Sequence, residues 1–228
     1  MDTTDLTKLT GRLTTNWLFG PLLRLLAGGQ PVTVRQLADA TGRTPDDVED
    51  ALDEHPDTEH DPEGRIVGQG LTLNPTPYRF RTRGRTLYTW CALDTLIFPA
   101  ILDAPAVVES SCHATGAPIR LTVDPTGGVS GVEPSGTVVS LVTPDGKVPV
   151  RTGFCNQVRF FASAHTAGPW LDAHPGATAV PVDEAHALAR RLARDLATPA
   201  GAQDCCRPGR GDTAVGVANA TNEGHHRS

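Results

Sequence analysis

The chain has 228 residues, enough to bury a sizeable core, and its 39% hydrophobic and 20% charged residues are typical of a folded globular protein. Its net charge of -6 argues against nucleic acid as the main partner. No apolar run approaches the ~20 residues of a membrane span, and residues 1–17 lack the apolar segment of a secretion signal, so we expect a cytoplasmic protein with no membrane partner.

The N-terminal third predicts a helix followed by a helix-turn-helix. Residues 17–27, WLFGPLLRLLA, form an apolar helical stretch that Pro21 either kinks or divides. Two short helices are predicted within residues 32–52, with start and stop signals at Thr33, Gly42 and Thr44-Pro45. A β-hairpin is predicted next, with its turn at 61–64 and strands within 65–73 and 78–83.

This outline is that of a winged helix-turn-helix, but its charge disfavours DNA binding. Ten acidic residues and no Lys or Arg lie between Asp46 and Glu63. The second helix of such a module is the one that enters the major groove, and an acidic surface repels phosphates. We therefore expect a packing or lid module rather than a DNA reader.

The middle of the chain predicts one apolar helix followed by short strands. Leu87, Trp90, Leu93 and Ile97 recur at a spacing of three to four within residues 84–100, which predicts a helix closed by Pro99. Strand patterns separated by turn signals follow at 106–111, 119–123, 137–142, 148–152 and 157–163.

The C-terminal third ends in an amphipathic helix at about 183–197, and residues from 198 onward have the composition of a disordered tail. The predicted fold class is α+β: an N-terminal winged-helix-like helical module, then a catalytic region of small antiparallel β-sheets flanked by helices. The predicted domains are 1–83, 84–197 and the tail 198–228.

Cys91 and Asp94 are the polar groups that stand out in the apolar run TWCALDTLIFP, residues 89–99. Three residues apart on a helix, their side chains share one face. A buried carboxyl tends to keep its proton, and a thiol binds a soft atom as thiolate. If strands bring Cys155 against this helix, the three side chains form a site with two soft ligands and one proton donor.

The five cysteines have neither the pairing of a disulfide framework nor the spacing of a zinc site, so we expect free thiols. Taken alone, an isolated cysteine is more often a buried small hydrophobe than a catalyst. Asp94 alters that balance because a carboxyl on an apolar helix face calls for a reason.

Several segments of the chain are distinctive: LYTWCALDTLIFPA (87–100), SSCHATGAP (110–118), VEPSG (132–136) and FCNQVRFFAS (154–163), together with the upstream stretches PLLRLLAGGQPV and GLTLNPTPYRF. In this order they closely resemble segments of the organomercurial (alkylmercury) lyases of bacterial mercury resistance. The resemblance covers residues 17 to about 195, which is nearly the whole region predicted to fold.

The resemblance implies a role for each matched residue. Cys91 and Cys155 match the two mercury-binding catalytic cysteines, Asp94 matches the catalytic acid, and Cys112 matches a structural cysteine. Some members carry a second cysteine where this chain has Asn156. The implied reaction is protonolysis of the Hg–C bond to a hydrocarbon and Hg(II), with no resident cofactor and with external thiols needed for Hg(II) release.

Cys205 and Cys206 lie outside the resemblance. Adjacent cysteines in a tail resemble the C-terminal thiol pair with which mercuric reductases pass on Hg(II), so one hypothesis is that they take Hg(II) from Cys91 and Cys155. The expected partners are then the organomercurial substrate, small cytosolic thiols and a mercuric reductase as Hg(II) acceptor. An incidental pair in a variable tail is the other interpretation.

Two alternative functions use the same cysteines. A thiol-based winged-helix metal sensor would bind DNA, but the acidic segment and Asp94 both speak against it, since a sensor needs no proton donor. A mercury-sequestering protein would bind mercury without releasing hydrocarbon.

Overall fold

The computed structural model describes residues 16–144 and 148–197. The helices are α1 Asn16–Leu26, α2 Val34–Thr41, α3 Pro45–Asp53, α4 Ala92–Leu102, α5 Val150–Gly153, α6 Ala164–Asp172 and α7 Val182–Ala197, and a 3-10 helix spans Cys155–Gln157. The strands are β1 Glu59–His60, β2 Ile66–Gln69, β3 Leu71–Thr72, β4 Tyr78–Thr82, β5 Arg85–Thr89, β6 Ala106–Ser111, β7 Pro118–Val123, β8 Val129–Glu133, β9 Val138–Leu141, β10 Phe160–Phe161 and β11 Thr178–Pro181.

The predicted helix-turn-helix is confirmed, and local capping explains it. The Thr33 hydroxyl accepts a hydrogen bond from the Gln36 N–H at the start of α2, which satisfies a backbone donor that the helix leaves free. Gly42 ends α2 in a left-handed conformation, with φ of 67°. Thr44 caps α3 in the same way as Thr33 caps α2. The first helix, α1, runs through Pro21.

The predicted α+β class is also confirmed, with antiparallel sheets following the helix-turn-helix. Eight strands form one sheet in the order β1-β2-β3-β5-β4-β6-β7-β8, and three form a second sheet in the order β10-β9-β11. Every pairing is antiparallel. Because the larger sheet includes strands from both sides of residue 83, the division into domains 1–83 and 84–197 stays a prediction.

The helix predicted to begin at residue 84 is wrong in its first half. Residues 85–89 form β5, and α4 begins only at Ala92. Arg83 and Gly84 both have positive φ, 49° and 71°, and join β4 to β5 as a two-residue hairpin turn. The apolar spacing misled the prediction because a buried strand and a buried helix placed end to end can produce the same pattern.

The strand predicted at 148–152 is also wrong, because residues 150–153 form the short helix α5. Within the predicted strand 157–163, only Phe160–Phe161 pair in a sheet. The sequence patterns did not predict β1, β8, β11 or α6. The first turn of α6 carries a cap that the sequence does contain, since the Ser163 hydroxyl accepts a hydrogen bond from the Thr166 N–H.

Helix α4 is the most buried of the described helices and carries the candidate site at its N-terminus. All of its residues except Asp94 and Ala100 are buried. It packs against α1, α7 and the larger sheet, so burial of its apolar residues supplies much of the hydrophobic stabilisation here. Asp94 is therefore the one acidic residue in the first turn of a helix whose position is fixed by its packing against two helices and the larger sheet.

The helices of the described segments include none that combines the length and the apolar character required to cross a membrane.

Candidate active site

Cys91 lies at the residue that precedes α4, in extended backbone with φ of -146°. Its carbonyl accepts a hydrogen bond from the Thr89 hydroxyl at 2.9 Å, and its N–H donates to Asp94 Oδ2 at 3.1 Å. The second bond is the N-terminal capping interaction of a helix, in which a carboxylate satisfies a free backbone donor. It brings the Asp94 carboxyl back over the cysteine.

Cys155 reaches the same place through the turn that follows it. The Val158 N–H donates to the Cys155 carbonyl at 3.1 Å. The Val158 carbonyl in turn accepts from the Ala92 N–H at 3.2 Å and from the Tyr78 hydroxyl at 3.3 Å. These bonds hold the Cys155 turn against the start of α4, although 64 residues separate the two cysteines.

The structure brings together the three side chains singled out from the sequence. One ligand atom from each of Cys91, Asp94 and Cys155 lies within 4.8 Å of the other two. All three cysteines of the described residues, including Cys112, are free thiols. Two sulfurs and one carboxyl at this separation can contact a single bound atom.

This cluster borders a cavity of about 470 Å³. Asp94 and Cys155 line the cavity, whereas Cys91 is 0% exposed and lies outside its lining. Most lining side chains are apolar, as befits a pocket for an organic group. They include Phe19, Pro56, Trp90, Leu93, Ile97, Phe98, Val148, Pro149, Val150, Phe154, Leu192 and Leu196.

Trp90, Leu93 and Phe98, which lie near Cys91 and Asp94 in the sequence, line the cavity. Phe160 and Phe161, which follow Cys155 in the sequence, do not line it; both are fully buried in strand β10 of the smaller sheet. These two phenylalanines are therefore core residues rather than part of the cavity wall.

Burial raises the pKa of the Asp94 carboxyl from 3.8 to about 7, although hydrogen bonds from Cys91 and Trp90 act in the opposite direction. Protein atoms enclose the carboxyl, yet part of its surface stays accessible where it faces the cavity. Near neutral pH, Asp94 is therefore able both to accept and to donate a proton.

Burial raises the pKa of the Cys91 thiol well above its usual value, and a hydrogen bond with Cys155 and the charge on Asp94 raise it further. At Cys155, the hydrogen bond with Cys91 lowers the pKa, but burial and the charge on Asp94 outweigh it and the pKa is raised. Both sulfurs are thus neutral thiols at neutral pH, and a soft ion must displace a proton from each.

The other sequence-predicted cysteines lie elsewhere. Cys112 is buried near Thr166 and is outside both the cluster and the cavity lining. Burial raises the pKa of its thiol, but hydrogen bonds with Thr115 and nearby backbone groups bring it down to about 7. Cys205 and Cys206 lie outside the described residues.

The sequence analysis missed polar residues from the N-terminal half that line the cavity, namely Glu54, His55, Asp57 and Gln69. Gln69 is 5% exposed, and its Oε1 has no hydrogen-bond partner among the described residues. It is therefore free to accept a hydrogen bond from a bound group. In the sequence, Gln69 is marked only by the adjacent Gly70, whose φ of 78° is one that glycine adopts readily.

Comparisons with known proteins identify relatives of this chain. A family model described as alkylmercury lyase matches residues 71–194, and one described as the helix-turn-helix domain of alkylmercury lyase matches residues 3–70. The alkylmercury lyase of Streptomyces lividans is 58% identical over 190 residues, covering 83% of this chain and 88% of that protein. The alkylmercury lyase of Bacillus cereus is 52% identical over 176 residues, covering 77% and 80%.

Among solved structures, the crystal structure of the mercury-bound form of MerB2 is similar to this chain with a TM-score of 0.70. The two are 28% identical, and the match covers 83% of this chain and 99% of that one. Both family models together span the helix-turn-helix and the cysteine cluster. The chain belongs to the alkylmercury lyase family, the enzymes that cleave the carbon–mercury bond.

Proposed function

We propose that the chain cleaves organomercurials by protonolysis, with Cys91 and Cys155 as mercury ligands and Asp94 as the proton donor. The convergence of the three side chains within 4.8 Å at the wall of an apolar cavity carries this proposal. Hg(II) is a soft ion that prefers thiolate sulfur to oxygen or nitrogen. The cluster supplies two such sulfurs and one acid.

Mercury capture begins at Cys155, because this sulfur lines the cavity and Cys91 does not. An organomercurial that arrives bound to an external thiolate exchanges that thiolate for Cys155, and the Cys155 proton leaves with the external thiol. Cys91 then binds the same mercury atom. Its proton passes to the Asp94 carboxylate, which has a pKa of about 7 and can accept it.

Cleavage follows when Asp94 returns this proton to the carbon. The second thiolate raises the electron density on mercury and on the carbon attached to it, which makes that carbon a better base. The Hg–C bond then breaks, its electron pair forms the C–H bond, and Hg(II) remains on two thiolates. Fixing acid, metal and carbon together is worth roughly 7–11 kcal/mol of the barrier.

The decisive experiment measures benzene in the headspace after the purified protein is incubated with phenylmercury and excess small thiol. We expect benzene from the parent and from Cys112→Ala, which changes a buried cysteine outside the cluster. Asp94→Asn should still bind phenylmercury through Cys155 but release no benzene. A parent protein that yields only background benzene, or an Asp94→Asn variant that matches the parent, would refute the proposal.

The benzene assay and a gel-shift experiment together separate the two alternative functions. A sequestering protein would bind phenylmercury without benzene release. A DNA-binding sensor would shift a promoter fragment in a gel, which we do not expect, because the acidic residues of α3 form an exposed face on the helix that would meet the DNA. They are Asp46, Asp47, Glu49, Asp50 and Asp53.

Release of Hg(II) needs an acceptor, and we propose small thiols assisted by Cys205 and Cys206. Leu192 and Leu196, in the last turns of α7, line the cavity. Cys205 lies eight residues after Ala197, a contour of at most about 29 Å. Truncation after Ala197, or Cys205→Ser with Cys206→Ser, should slow turnover at limiting external thiol. Equal turnover in parent and variants would refute the hand-off, including one to a mercuric reductase.

A further inference from the structure

A single carboxylate from the N-terminal module connects the two segments that carry the mercury-binding cysteines. Glu59, in β1, is largely buried, with 13% of its side chain exposed. It accepts hydrogen bonds from the Trp90 indole at 3.1 Å, from the Asn74 amide at 2.9 Å, and from the Thr72 hydroxyl and the Arg151 guanidinium.

Arg151 makes three contacts that fix its position. Its guanidinium forms an ion pair with Glu59 and lies 4.7 Å from the centre of the Trp90 ring. Its backbone N–H donates to Asp57 Oδ2 at 3.0 Å. Because a guanidinium both stacks on a ring and pairs with a carboxylate, lysine does not reproduce this arrangement.

These contacts matter because of what lies next along the chain. Trp90 directly precedes Cys91, and Arg151 lies four residues before Cys155. The Glu59, Trp90 and Arg151 side chains therefore connect both sulfur-bearing segments at a point outside the cluster itself. Residues 148–150, next to Arg151, also form part of the cavity wall.

The Glu59 carboxylate occupies space that a side chain at Gly68 would fill. A Cβ atom added at Gly68 in β2 would lie 2.5 Å from Glu59 Oε2 and 2.6 Å from Thr72 Oγ1. Burial raises the pKa of Glu59, but the hydrogen bonds from Thr72 and Asn74 and the Arg151 charge lower it below its usual value, so the group stays ionised. An ionised, enclosed carboxylate with four donors is a rigid reference point.

We propose that Glu59 and Arg151 are positioning residues that set the distance between the Cys91 and Cys155 sulfurs, and that the winged-helix-like module serves this purpose in the active site. The inference rests on the proposed function, since it concerns the two thiols as joint ligands of one metal atom. A shift of about 1 Å in such a site costs about 100-fold in rate.

The test uses the full chain and three variants, Glu59→Gln, Arg151→Gln and the conservative Arg151→Lys. The matched control is Arg65→Gln, which breaks the ion pairs of a more exposed arginine with the partly buried Asp61 and the exposed Glu63 in the same hairpin. Two readouts are measured: kcat for benzene release from phenylmercury, and affinity for phenylarsine oxide. This arsenical binds two thiols at once and loses water. Measured in a Cys205→Ser, Cys206→Ser background, which removes the other cysteine pair, its affinity reports the geometry of the Cys91 and Cys155 sulfurs independently of proton transfer.

We expect Arg151→Gln and Glu59→Gln to lose about 10-fold to 100-fold in both readouts, Arg151→Lys to recover part of the loss, and Arg65→Gln to match the parent. Thermal unfolding of each variant identifies any that fail to fold, and Glu59→Gln keeps the size and shape of the side chain while it removes the charge and one acceptor oxygen. If kcat and arsenical affinity stay within about twofold of the parent while the melting temperature falls, Glu59 and Arg151 are merely structural and the inference is overturned. Failure of the parent to release benzene would instead refute the proposed function.

Discussion

Asp94→Asn should make the protein more stable at neutral and alkaline pH, while it stops hydrocarbon release. The pKa of Asp94 is raised from 3.8 to about 7 in the folded protein, because burial disfavours its charged form. When the pKa of an acid is higher in the folded than in the unfolded protein, its ionisation lowers the free energy of unfolding. This loss is absent below the pKa of the unfolded state, where the acid is protonated in both states. Its contribution to stability is then lost as the pH rises from about 4 through about 7.

The size of the effect follows from the shift. About three pKa units at about 1.4 kcal/mol each give about 4 kcal/mol above pH 7, once the unfolded and the folded groups are both ionised. Part of the carboxyl faces the cavity, where solvent screens its charge, so we expect about 3 kcal/mol in practice. Asparagine keeps an oxygen to accept the Cys91 N–H but cannot ionise.

The assay is urea unfolding followed by tryptophan fluorescence, for parent and variant, at about pH 5 and about pH 8. The difference in unfolding free energy, variant minus parent, should widen by about 2 kcal/mol between these conditions. Asp53→Asn, which removes an exposed carboxyl of α3, controls for the change in net charge. A gap between Asp94→Asn and parent that stays constant with pH would refute the raised pKa and, with it, the ability of Asp94 to hold a proton near neutrality.

Three further predictions concern turnover. Cys91→Ser and Cys155→Ser should each lower benzene release by at least about 100-fold, because one sulfur no longer activates the Hg–C bond; headspace analysis of either variant at the parent rate would contradict the two-thiolate scheme. Single-turnover benzene release should fall as the pH drops below about 7, because Asp94 must be ionised to take the second thiol proton; a flat profile would exclude that step. Gly68→Ala should lower kcat without changing any charge, because its Cβ displaces the Glu59 carboxylate, and parent-like kcat in a folded variant would argue against positioning by Glu59.

The helix-turn-helix could be predicted from the sequence because its signals are local. Thr33 and Thr44 each accept a hydrogen bond from the third residue of the helix that follows, and Gly42 takes the positive φ that ends α2. Such signals act over three or four residues and do not depend on the rest of the fold. The predicted turn at 61–64 is local in the same sense, with the Gly64 N–H donating to the Asp61 carbonyl.

Where the local structure depends on contacts between residues far apart in the sequence, it could not be predicted. Residues 148–152 have a strand-like composition, but α5 forms there, where the Arg151 N–H is bonded to Asp57, 94 residues earlier. The closeness of Cys155 to Cys91 likewise depends on Val158, whose carbonyl joins the two segments. Spacing alone identified Cys91 and Asp94 as a pair, whereas Cys155 was added only as a condition and through resemblance.

The acidic character of the N-terminal module has a physical explanation in the structure. Its exposed carboxylates on α3 are unsuited to a phosphate backbone, yet Glu54 and Asp57 line the cavity and Glu59 pairs with Arg151 beside Trp90. Carboxylates in the wall disfavour anionic ligands, and we propose that the enclosed one, Glu59, orders the segments that hold the sulfurs. The module thus has the outline of a DNA-binding winged helix, but several of its carboxylates lie at the cavity or beside Trp90. Its shape alone is therefore a poor guide to the function of this part of the chain.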